Sequence, residues 1–512
     1  MCIFVCLLLL LLVALPLRAQ HSDTHTAAPE DAPAIAIIPS DGFNMRVVEQ
    51  ITPYYVITTL DPPVFNWFAG TFTNLPTDQE VTIGLNMTGV DSPPNKAEVS
   101  KWVGLKPLLT YADPTRYEIY ECFQKDEKDQ WMSGDPFKKG EAKFAGTGKV
   151  PEQSIIPNDL AEQFLSADGD YWQAWREIET VEVLTNANIF RIKYHFALST
   201  ATVAMRIPYT YSYLQAFLEH LQAAGIAGVN IDKIGTTPDG RILQAIRIEG
   251  QSIMSDVKDN KTVLVIAREH ATEHASSWAL HGILALFING NAEINANRNN
   301  ITWILIPIQD PDGSANSQFD RLTEKCYRAN DPSTPVEIFD YARYLTDYVN
   351  SGKSIDVSVV LHNVEANECR HLLCPFFDIR FVDQTIDFNR KLFTDLQNAG
   401  FQTELPETNY GKGWMNFRIY GWCALHFGSF DLAYEVNDRY PADRLSLSRI
   451  GNIGAMLSKS IAKWLSDDNG KIWHRDILKL LSDRQKERDD MFRKRGYGPD
   501  QKSKFDLLIR GY

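Results

Sequence analysis

The 512-residue sequence is short of cysteine, of long apolar segments and of positive charge. Its seven cysteines are too few and too scattered for the disulfide framework of a small secreted protein. After the first residues, no segment approaches the roughly 18 apolar residues of a membrane-spanning helix. The formal net charge is −14, which argues against nucleic acid or an anionic membrane as the main partner. The length allows at least two hydrophobic cores.

One apolar segment opens the chain. Residues Ile3–Leu17 are almost wholly apolar, and Arg18-Ala19-Gln20 follows, which places Leu17 and Ala19 at the −3 and −1 positions of a plausible cleavage site. This pattern predicts a signal peptide over residues 1–19, although it lacks the usual leading lysine or arginine and an uncleaved anchor is the alternative. Export to the periplasm or outside the cell follows, with no membrane association after cleavage. Among the remaining cysteines, Cys369 and Cys374 are close enough in sequence for one optional disulfide.

The rest of the chain changes pattern three times. Residues 20–37 are small and polar, which predicts a disordered lead. Residues 38–206 alternate in short stretches between turn residues, which indicates an antiparallel β-sandwich. Residues 207–468 alternate strands with helices, which predicts an α/β domain whose mixed or parallel sheet is wrapped by helices. Residues 469–512 mix both charges and predict a solvated helical tail. Within the α/β region the predicted strands cover 243–248, 262–267, 302–307, 357–361 and 432–436, and helices are predicted around 214–221, 278–287 and 338–349.

A histidine and a glutamate three residues apart follow one of these strands. His270 and Glu273 come directly after the apolar segment Val263–Ala267, where a helical pattern is about to begin. At such a junction both side chains can turn inward and offer Zn²⁺ a nitrogen and oxygens. Two later apolar segments end at His362 and Glu435. The arrangement predicts one zinc ion held by His270, Glu273 and His362, with water in the fourth position.

The chemistry of such a site needs a general base. Zinc would lower the pKa of its water toward about 7 and polarise a carbonyl, and Glu435 is placed to take the proton. His270-Ala271-Thr272-Glu273-His274 also fits the inverted zinc motif, in which both histidines bind the metal and the glutamate is the base. That motif belongs within a helix, whereas a strand runs almost to His270, so that His274 would point partly away.

With these residues in order, the chain resembles the zinc carboxypeptidases of the carboxypeptidase A clan, and most closely their cytosolic-carboxypeptidase-like branch. The resemblance implies a mixed-sheet α/β/α catalytic domain preceded by an all-β sandwich. It also implies that Glu435 deprotonates the zinc-bound water and later protonates the leaving amine. The segments that carry the resemblance are Pro208-Tyr209-Thr210-Tyr211-Ser212, Gly235–Arg241, His270 with Glu273, Pro311-Asp312-Gly313, His362 and Glu435.

The resemblance further implies residues that hold the substrate. An arginine after the Pro-Asp-Gly turn would polarise the scissile carbonyl or bind the C-terminal carboxylate. Arg321 and Arg328 are the candidates, because the family's Asn-Arg pair has no clean counterpart. Tyr410 stands at about the family's interval before the catalytic glutamate and would cap the substrate. Arg418 would favour acidic C-terminal residues if it lines the specificity pocket.

The resulting hypothesis is a secreted or periplasmic zinc metallocarboxypeptidase that removes C-terminal amino acids from peptides. A zinc deacylase or amidase acting on N-acyl amino acids or cell-wall peptides is one alternative, because it would use the same site. An exported binding protein with a vestigial hydrolase domain is another. The departures from the family pattern between Arg321 and Asn330 are the best support for that alternative. The chain also departs from the pattern at Asp310, where asparagine is usual, and at Asn363, where the closest relatives have glycine. The intact ligand and base positions count against that alternative.

Overall fold

A computed structural model describes most of the chain from Pro33 to Ser466. The described residues are 33–64, 67–88, 91–92, 95–96, 102, 104–111, 175–178, 180–250, 261–288, 301–319, 321–322, 334–363, 369–371, 379–404, 419–437 and 447–466. The predicted signal peptide and the predicted tail at 469–512 lie outside these residues, so both stay predictions. No helix in the described part of the chain is both long and apolar enough to cross a bilayer.

The first part of the described chain consists of short strands. They are β1 (Ala36–Ile38), β2 (Met45–Thr52), β3 (Tyr55–Leu60), β4 (Ala69–Thr73), β5 (Val81–Asn86), β6 (Asp91–Ser92), β7 (Asn95–Lys96), β8 (Leu108–Thr110), β9 (Trp175–Glu177), β10 (Val181–Leu184), β11 (Ile189–Tyr194) and β12 (Ala201–Ala204). Two five-stranded sheets form, in the orders β1-β4-β12-β8-β9 and β10-β11-β5-β3-β2. Along β3, buried side chains alternate with half-buried ones, as expected where one face of a sheet covers a core.

These two sheets confirm the predicted N-terminal β-rich region, with two differences. The strands β3 and β5 pair in parallel, although the prediction was of an antiparallel sandwich. The first strand also begins at Ala36, inside the segment predicted as a disordered lead. The rings of Phe68, Trp102 and Phe190 pack against one another in the core, with centroids 5.2–6.2 Å apart. Large apolar side chains of this kind supply most of the free energy that stabilises such a core.

The second part of the described chain alternates strands and helices. They are α1 (Tyr211–Ala224), β13 (Val229–Thr236), β14 (Ile242–Ile248), β15 (Lys261–Ala267), α2 (His274–Ile288), β16 (Ile301–Ile306), α3 (Pro311–Ala315), α4 (Val336–Asn350), β17 (Val357–His362), β18 (Cys369–His371), α5 (Ile379–Asn398), β19 (Thr403–Glu404), α6 (Ile419–Phe427), β20 (Phe430–Val436) and α7 (Leu447–Ser466). The strand order is β13-β14-β16-β15-β17-β20-β18-β19, and the four central strands β16, β15, β17 and β20 are parallel. Their carboxyl ends therefore meet at one edge of the sheet.

Helices cover both faces of this sheet. On β15, Val263 and Val265 face a core that includes residues of α2, α5 and α7. Leu264 and Ile266 face a second core with residues of α4 and α6. Burial on both faces explains why the predicted strands read as continuous apolar runs. The α/β/α architecture is thus confirmed, and Cys423 in α6 is a buried free thiol.

Helices α2 and α7 approach so closely that glycine is required where they cross. A Cβ atom added to Gly282 would lie 2.1 Å from the carbonyl oxygen of Gly451, and one added to Gly454 would lie 1.9 Å from that of Ala279. Both obstacles are backbone atoms, so that one helix must move to relieve the clash. We expect Gly282→Ala to lower the free energy of unfolding by about 2 kcal/mol, as overpacking of a core does. Ser460→Ala on α7 should change it little, and equal denaturation midpoints for the two variants would contradict the close crossing.

Candidate metal centre

The loop after β15 is organised by a buried arginine. Arg268 is fully buried and adopts a left-handed backbone conformation with φ of 62°. Its guanidinium donates to the carbonyl oxygen of Ala271 (Nε, 2.6 Å), to that of Tyr209 (2.7 Å) and to the hydroxyl of Ser314 (2.9 Å). Burial lowers the pKa of Arg268 to about 9, although the negative charge of Glu273 opposes this shift. The arginine therefore joins the loop to the start of the domain and to helix α3.

The next residues bring three ligand groups together. The Nδ1 atom of His270 lies 2.7 Å from Oε1 of Glu273, and the Nδ1 atom of His362 lies 3.1 Å from Oε2 of the same carboxylate. Atoms of the three side chains that could bind a metal all lie within 4.8 Å of one another. Burial alone would raise the pKa of Glu273, but the charges and hydrogen bonds of the two histidines hold this pKa below its ordinary value.

This arrangement fits a zinc ion. Two imidazole nitrogens and one carboxylate are a donor set that Zn²⁺ accepts, and a catalytic zinc keeps its fourth position for water or substrate. Glu273 and His362 are almost fully buried, whereas the side chain of His270 is 16% exposed, so that the group opens to solvent on the side of His270. The ring of Phe319 stacks on the ring of His270, with centroids 4.6 Å apart.

His274 is not part of this group. It is the first residue of α2, and its Nδ1 atom accepts a hydrogen bond from the backbone N–H of Tyr209 at 2.8 Å and lies 3.0 Å from the guanidinium of Arg268. Burial lowers the pKa of His274 well below its ordinary value, and the charges of Arg268 and Arg206 add to this shift. The Nδ1 atom of this neutral ring is already occupied by Tyr209 and Arg268, and the described group that could hold a metal includes His362 and not His274, which favours His362 as the third ligand.

Glu435 ends the strand next to His362. In the parallel pair of β17 and β20, Glu435 stands directly opposite His362, and it is 5% exposed. Asn363, the residue after His362, donates to the carbonyl oxygen of Val436 at 2.9 Å and accepts a hydrogen bond from Arg206. The side-chain amide of Asn363 therefore joins the end of β17, where His362 lies, to the end of β20, where Glu435 lies.

The N-terminal β-rich part of the chain also contacts α3 and the first residue of α2, next to Glu273. Gly42 donates its N–H to the carbonyl oxygen of Ala315 at 2.7 Å, and its own carbonyl oxygen accepts from Ser317 at 2.7 Å and from the indole of Trp67 at 2.8 Å. The ring of Trp67 lies 4.0 Å from the ring of His274. Gly42 has a φ of 72°, and a Cβ atom there would lie 2.9 Å from a backbone oxygen of α3, so a side chain would be strained and crowded. These contacts hold the turn at Gly42 against α3 and place Trp67 against His274, the residue that follows Glu273.

The Pro-Asp-Gly turn has a structural role at the same edge. Asp312 accepts hydrogen bonds from the hydroxyl of Thr237 at 2.6 Å, from the N–H of Asp239 at 3.1 Å and from Arg241 at 2.8 Å. It thereby fixes the hairpin between β13 and β14 against α3. The three partners lie within the Gly235–Arg241 motif, so this motif and the Pro311-Asp312-Gly313 motif are hydrogen-bonded to each other.

Sequence comparison identifies the domain that carries this geometry. Residues 214–401 match the model of the zinc carboxypeptidase family, a range that includes His270, Glu273 and His362 but not Glu435. The chain contains a zinc carboxypeptidase domain. The match assigns it to the zinc-dependent metallopeptidases of the hydrolase class, and His270, Glu273 and His362 form a group that could hold the metal.

Several solved structures with a similar fold are bacterial proteins described as carboxypeptidases. A Shewanella denitrificans protein assigned as a carboxypeptidase A is similar over 84% of this chain and 98% of its own, with a TM-score of 0.59 and 16% identity. A metallo-carboxypeptidase from Burkholderia cenocepacia is similar over 85% of this chain and 99% of its own, with a TM-score of 0.58 and 15% identity. A metallo-carboxypeptidase from Pseudomonas aeruginosa, solved in complex with (2-guanidinoethylmercapto)succinic acid, is similar over 84% of this chain and 99% of its own. Its TM-score is 0.57 and its identity is 13%. Coverage of their full length shows that both parts of the fold are shared, whereas the cytosolic-like branch stays a prediction.

Arg321, a predicted substrate residue of the zinc carboxypeptidase domain, is partly buried and bound by two buried carboxylates. Its Nε atom donates to Asp310 at 2.8 Å and its Nη2 atom to Glu337 at 2.6 Å, and both carboxylates are fully buried. Burial raises the pKa of the Asp310 carboxyl to about 6, although Arg321 opposes the shift. These contacts favour a structural role for Arg321 over the predicted clamp on substrate.

Removing this arginine should destabilise the domain. Arg321→Met would leave two buried carboxylates without their cation, and loss of one partner from a buried ion-pair group costs about 3–5 kcal/mol. Arg343→Met on α4 breaks the ion pair with Asp340, but that arginine side chain is 54% exposed and should contribute less than about 1 kcal/mol. Urea unfolding of both variants checks this expectation, and a stable Arg321→Met with impaired peptide binding would support the predicted clamp instead.

Three other predicted site residues lie outside the described residues. These are Arg328, Tyr410 and Arg418, so their roles in the zinc carboxypeptidase domain stay predictions. The backbone adds one residue that the sequence analysis did not single out. Strand β18 pairs antiparallel with β20 and places Arg370 directly opposite Glu435 in register. No local motif marks Arg370, because its position depends on the pairing of two strands more than 60 residues apart in sequence.

Proposed function

We propose that this chain is a zinc metallocarboxypeptidase that hydrolyses the C-terminal peptide bond of peptides, with Glu435 as the general base. The observation that carries the proposal is the convergence of His270, Glu273 and His362 at a sheet edge where Glu435 is the next residue across the sheet. A base beside a three-ligand metal group is the arrangement that metal-assisted hydrolysis of an amide needs.

The proposed division of labour follows from these positions. A bound zinc ion supplies a Lewis acid that polarises the scissile carbonyl and makes water more acidic. Glu435 takes a proton from the attacking water and later delivers it to the amine that leaves. Its burial at the strand end keeps competing solvent away from the carboxylate. Asn363, which ties the end of β17 to the end of β20, holds the base at a fixed distance from the ligands.

The substrate's terminal carboxylate requires a positively charged partner. Arg328, by resemblance, and Arg370, by its register opposite Glu435, are the proposed candidates, since a guanidinium can bind a carboxylate through two parallel hydrogen bonds. The ligand of the similar Pseudomonas aeruginosa protein contains a succinic acid, which carries two carboxylates. We propose that the same compound inhibits this chain by occupying the carboxylate subsite. The leading apolar segment further supports an exported enzyme that acts on peptides outside the cytoplasm.

The experiment that tests this function combines metal analysis with substrate release. The purified chain, cleaved after residue 19, is assayed for zinc and for release of free amino acids from N-blocked dipeptides with different C-terminal residues. One zinc per chain and release that stops with a chelator and returns with added zinc are expected. Zinc binding with hydrolysis of N-acyl amino acids but of no dipeptide would favour the deacylase instead. Absence of zinc would contradict both enzymes.

A further inference from the structure

We propose that Glu269 is a positioning residue for the metal ligand His362. Its side chain is 2% exposed, on the loop between β15 and the first ligand, and its Oε2 atom lies 3.4 Å from the Nε2 atom of His362. On the other side of the ring, the Nδ1 atom of His362 faces Glu273 at 3.1 Å. The imidazole therefore lies between two buried carboxylates, one of which is a ligand of the predicted metal and one of which is not.

A carboxylate beside the Nε2 atom of His362 has a physical reason, which is the position of the proton on that ring. A neutral histidine that binds a metal through Nδ1 must carry its proton on Nε2. That N–H is buried at His362, and an unsatisfied buried donor costs free energy. The carboxylate of Glu269 is an acceptor within reach of that N–H, so it favours the tautomer of His362 that leaves Nδ1 unprotonated and able to bind the metal beside Glu273. Carboxylates behind metal-binding histidines act in this way in other zinc sites.

The observed separation suits a site that tightens when metal binds. At 3.4 Å the two atoms are a few tenths of an ångström beyond the ordinary N–H···O distance. Glu269 is on the short loop that also carries His270 and Glu273, so a small shift of that loop on metal binding would close the gap between Glu269 and His362. One segment of five residues would then supply two ligands and fix the third.

Charge balance gives a second physical reason. Burying a carboxylate is costly, and Glu269 is 2% exposed beside the proposed site of a doubly charged cation, whose charge would offset that cost. The charges of Glu269 and Glu273 together balance those of one zinc ion. A glutamine at position 269 would keep the shape of the side chain but would lose this charge and the better acceptor.

The inference rests on the proposed function for the identity of the metal, and zinc affinity tests it without reference to activity. The full chain, the Glu269→Gln variant and the Glu249→Gln variant are titrated with zinc against a chromophoric chelator. Glu249 is an exposed carboxylate on the same domain, so its variant controls for the change in net charge. We expect the dissociation constant for zinc to rise about 10–100-fold in Glu269→Gln, as when such an orienting partner is removed, and to stay within twofold in Glu249→Gln.

A merely structural role for Glu269 predicts a different pattern. Loss of packing would lower the melting temperature of the metal-free protein, whereas loss of positioning would not lower it but would reduce the rise in melting temperature on adding zinc. The visible spectrum of the Co²⁺-loaded variant should also change, because the ring of His362 would sit differently on the metal. If Glu269→Gln does not fold, Glu269→Asp withdraws the carboxylate by one methylene and should show an intermediate loss of zinc affinity.

Each outcome separates this inference from the proposed function. Unchanged zinc affinity in a folded Glu269→Gln overturns the positioning role even if the enzyme cuts peptides. A wild-type chain that binds zinc and cuts no peptide overturns the peptidase proposal, and weaker binding in Glu269→Gln would still support the role of Glu269. A wild-type chain that binds no zinc overturns both.

Discussion

Replacing Glu435 with glutamine is expected to lower kcat for peptide hydrolysis by about 10²–10⁴-fold, the usual contribution of a positioned general base. Glutamine keeps the size and hydrogen-bonding capacity of the side chain but cannot take a proton from water. The metal ligands are untouched, so zinc content should stay at the wild-type level. Because the change affects the transition state and not substrate binding, KM should change little.

The matched control for this variant is Glu219→Gln. Glu219 is an exposed carboxylate on α1, and its substitution removes the same charge without approaching the sheet edge. Full activity of Glu219→Gln beside the loss in Glu435→Gln would assign the effect to position 435. If Glu435→Gln instead lost its zinc, Glu435 would be a ligand and the proposed division of roles would be wrong. If it kept its activity, the base would have to be another group.

Replacing His362 with alanine is expected to abolish zinc binding under assay conditions and all peptide hydrolysis with it. Two remaining ligands make a weak site, and the loss of affinity should exceed the roughly 10–100-fold that follows removal of an orienting partner. The useful comparison is His274→Asn, whose side-chain oxygen can accept the hydrogen bonds that the Nδ1 atom of His274 accepts from Tyr209 and Arg268. That variant should retain zinc and substantial activity.

This pair of variants decides between the two ligand sets that the sequence allows. The inverted zinc motif would make His274 a ligand and Glu273 the base, and it predicts loss of zinc in His274→Asn with retention in His362→Ala. The fold favours the opposite outcome, because His274 begins α2 and its ring is held against Trp67. Retention of one zinc per chain in His362→Ala would contradict the ligand set proposed for this protein.

The sequence was sufficient to predict the central strands and the residues at their ends. Continuous apolar runs such as Val263–Ala267 identify strands buried on both faces, and parallel strands bring their carboxyl ends to a common edge. His270, Glu273, His362 and Glu435 could therefore be predicted to lie at one sheet edge from their places after such runs. The predicted helix and strand bounds in this region agree with the structure to within a few residues.

Long-range partners could not be predicted in this way. Arg321 resembled a substrate residue because it follows the Pro-Asp-Gly turn, but its buried partner Glu337 is 16 residues away on α4, and local pattern carries no sign of that pair. The role proposed for Glu269 could not be predicted from the sequence for a related reason. Its relevance depends on His362, 93 residues further along the chain, and only the pairing of β15 with β17 brings the two together.

The most direct test of the metal centre is anomalous X-ray scattering at the zinc edge from crystals of the zinc-loaded chain. One peak is expected about 2.0–2.2 Å from the Nδ1 atoms of His270 and His362 and from the carboxylate of Glu273, with Glu435 nearby and not bound. A peak coordinated by His274, or zinc bound only at sites away from these residues, would contradict the account.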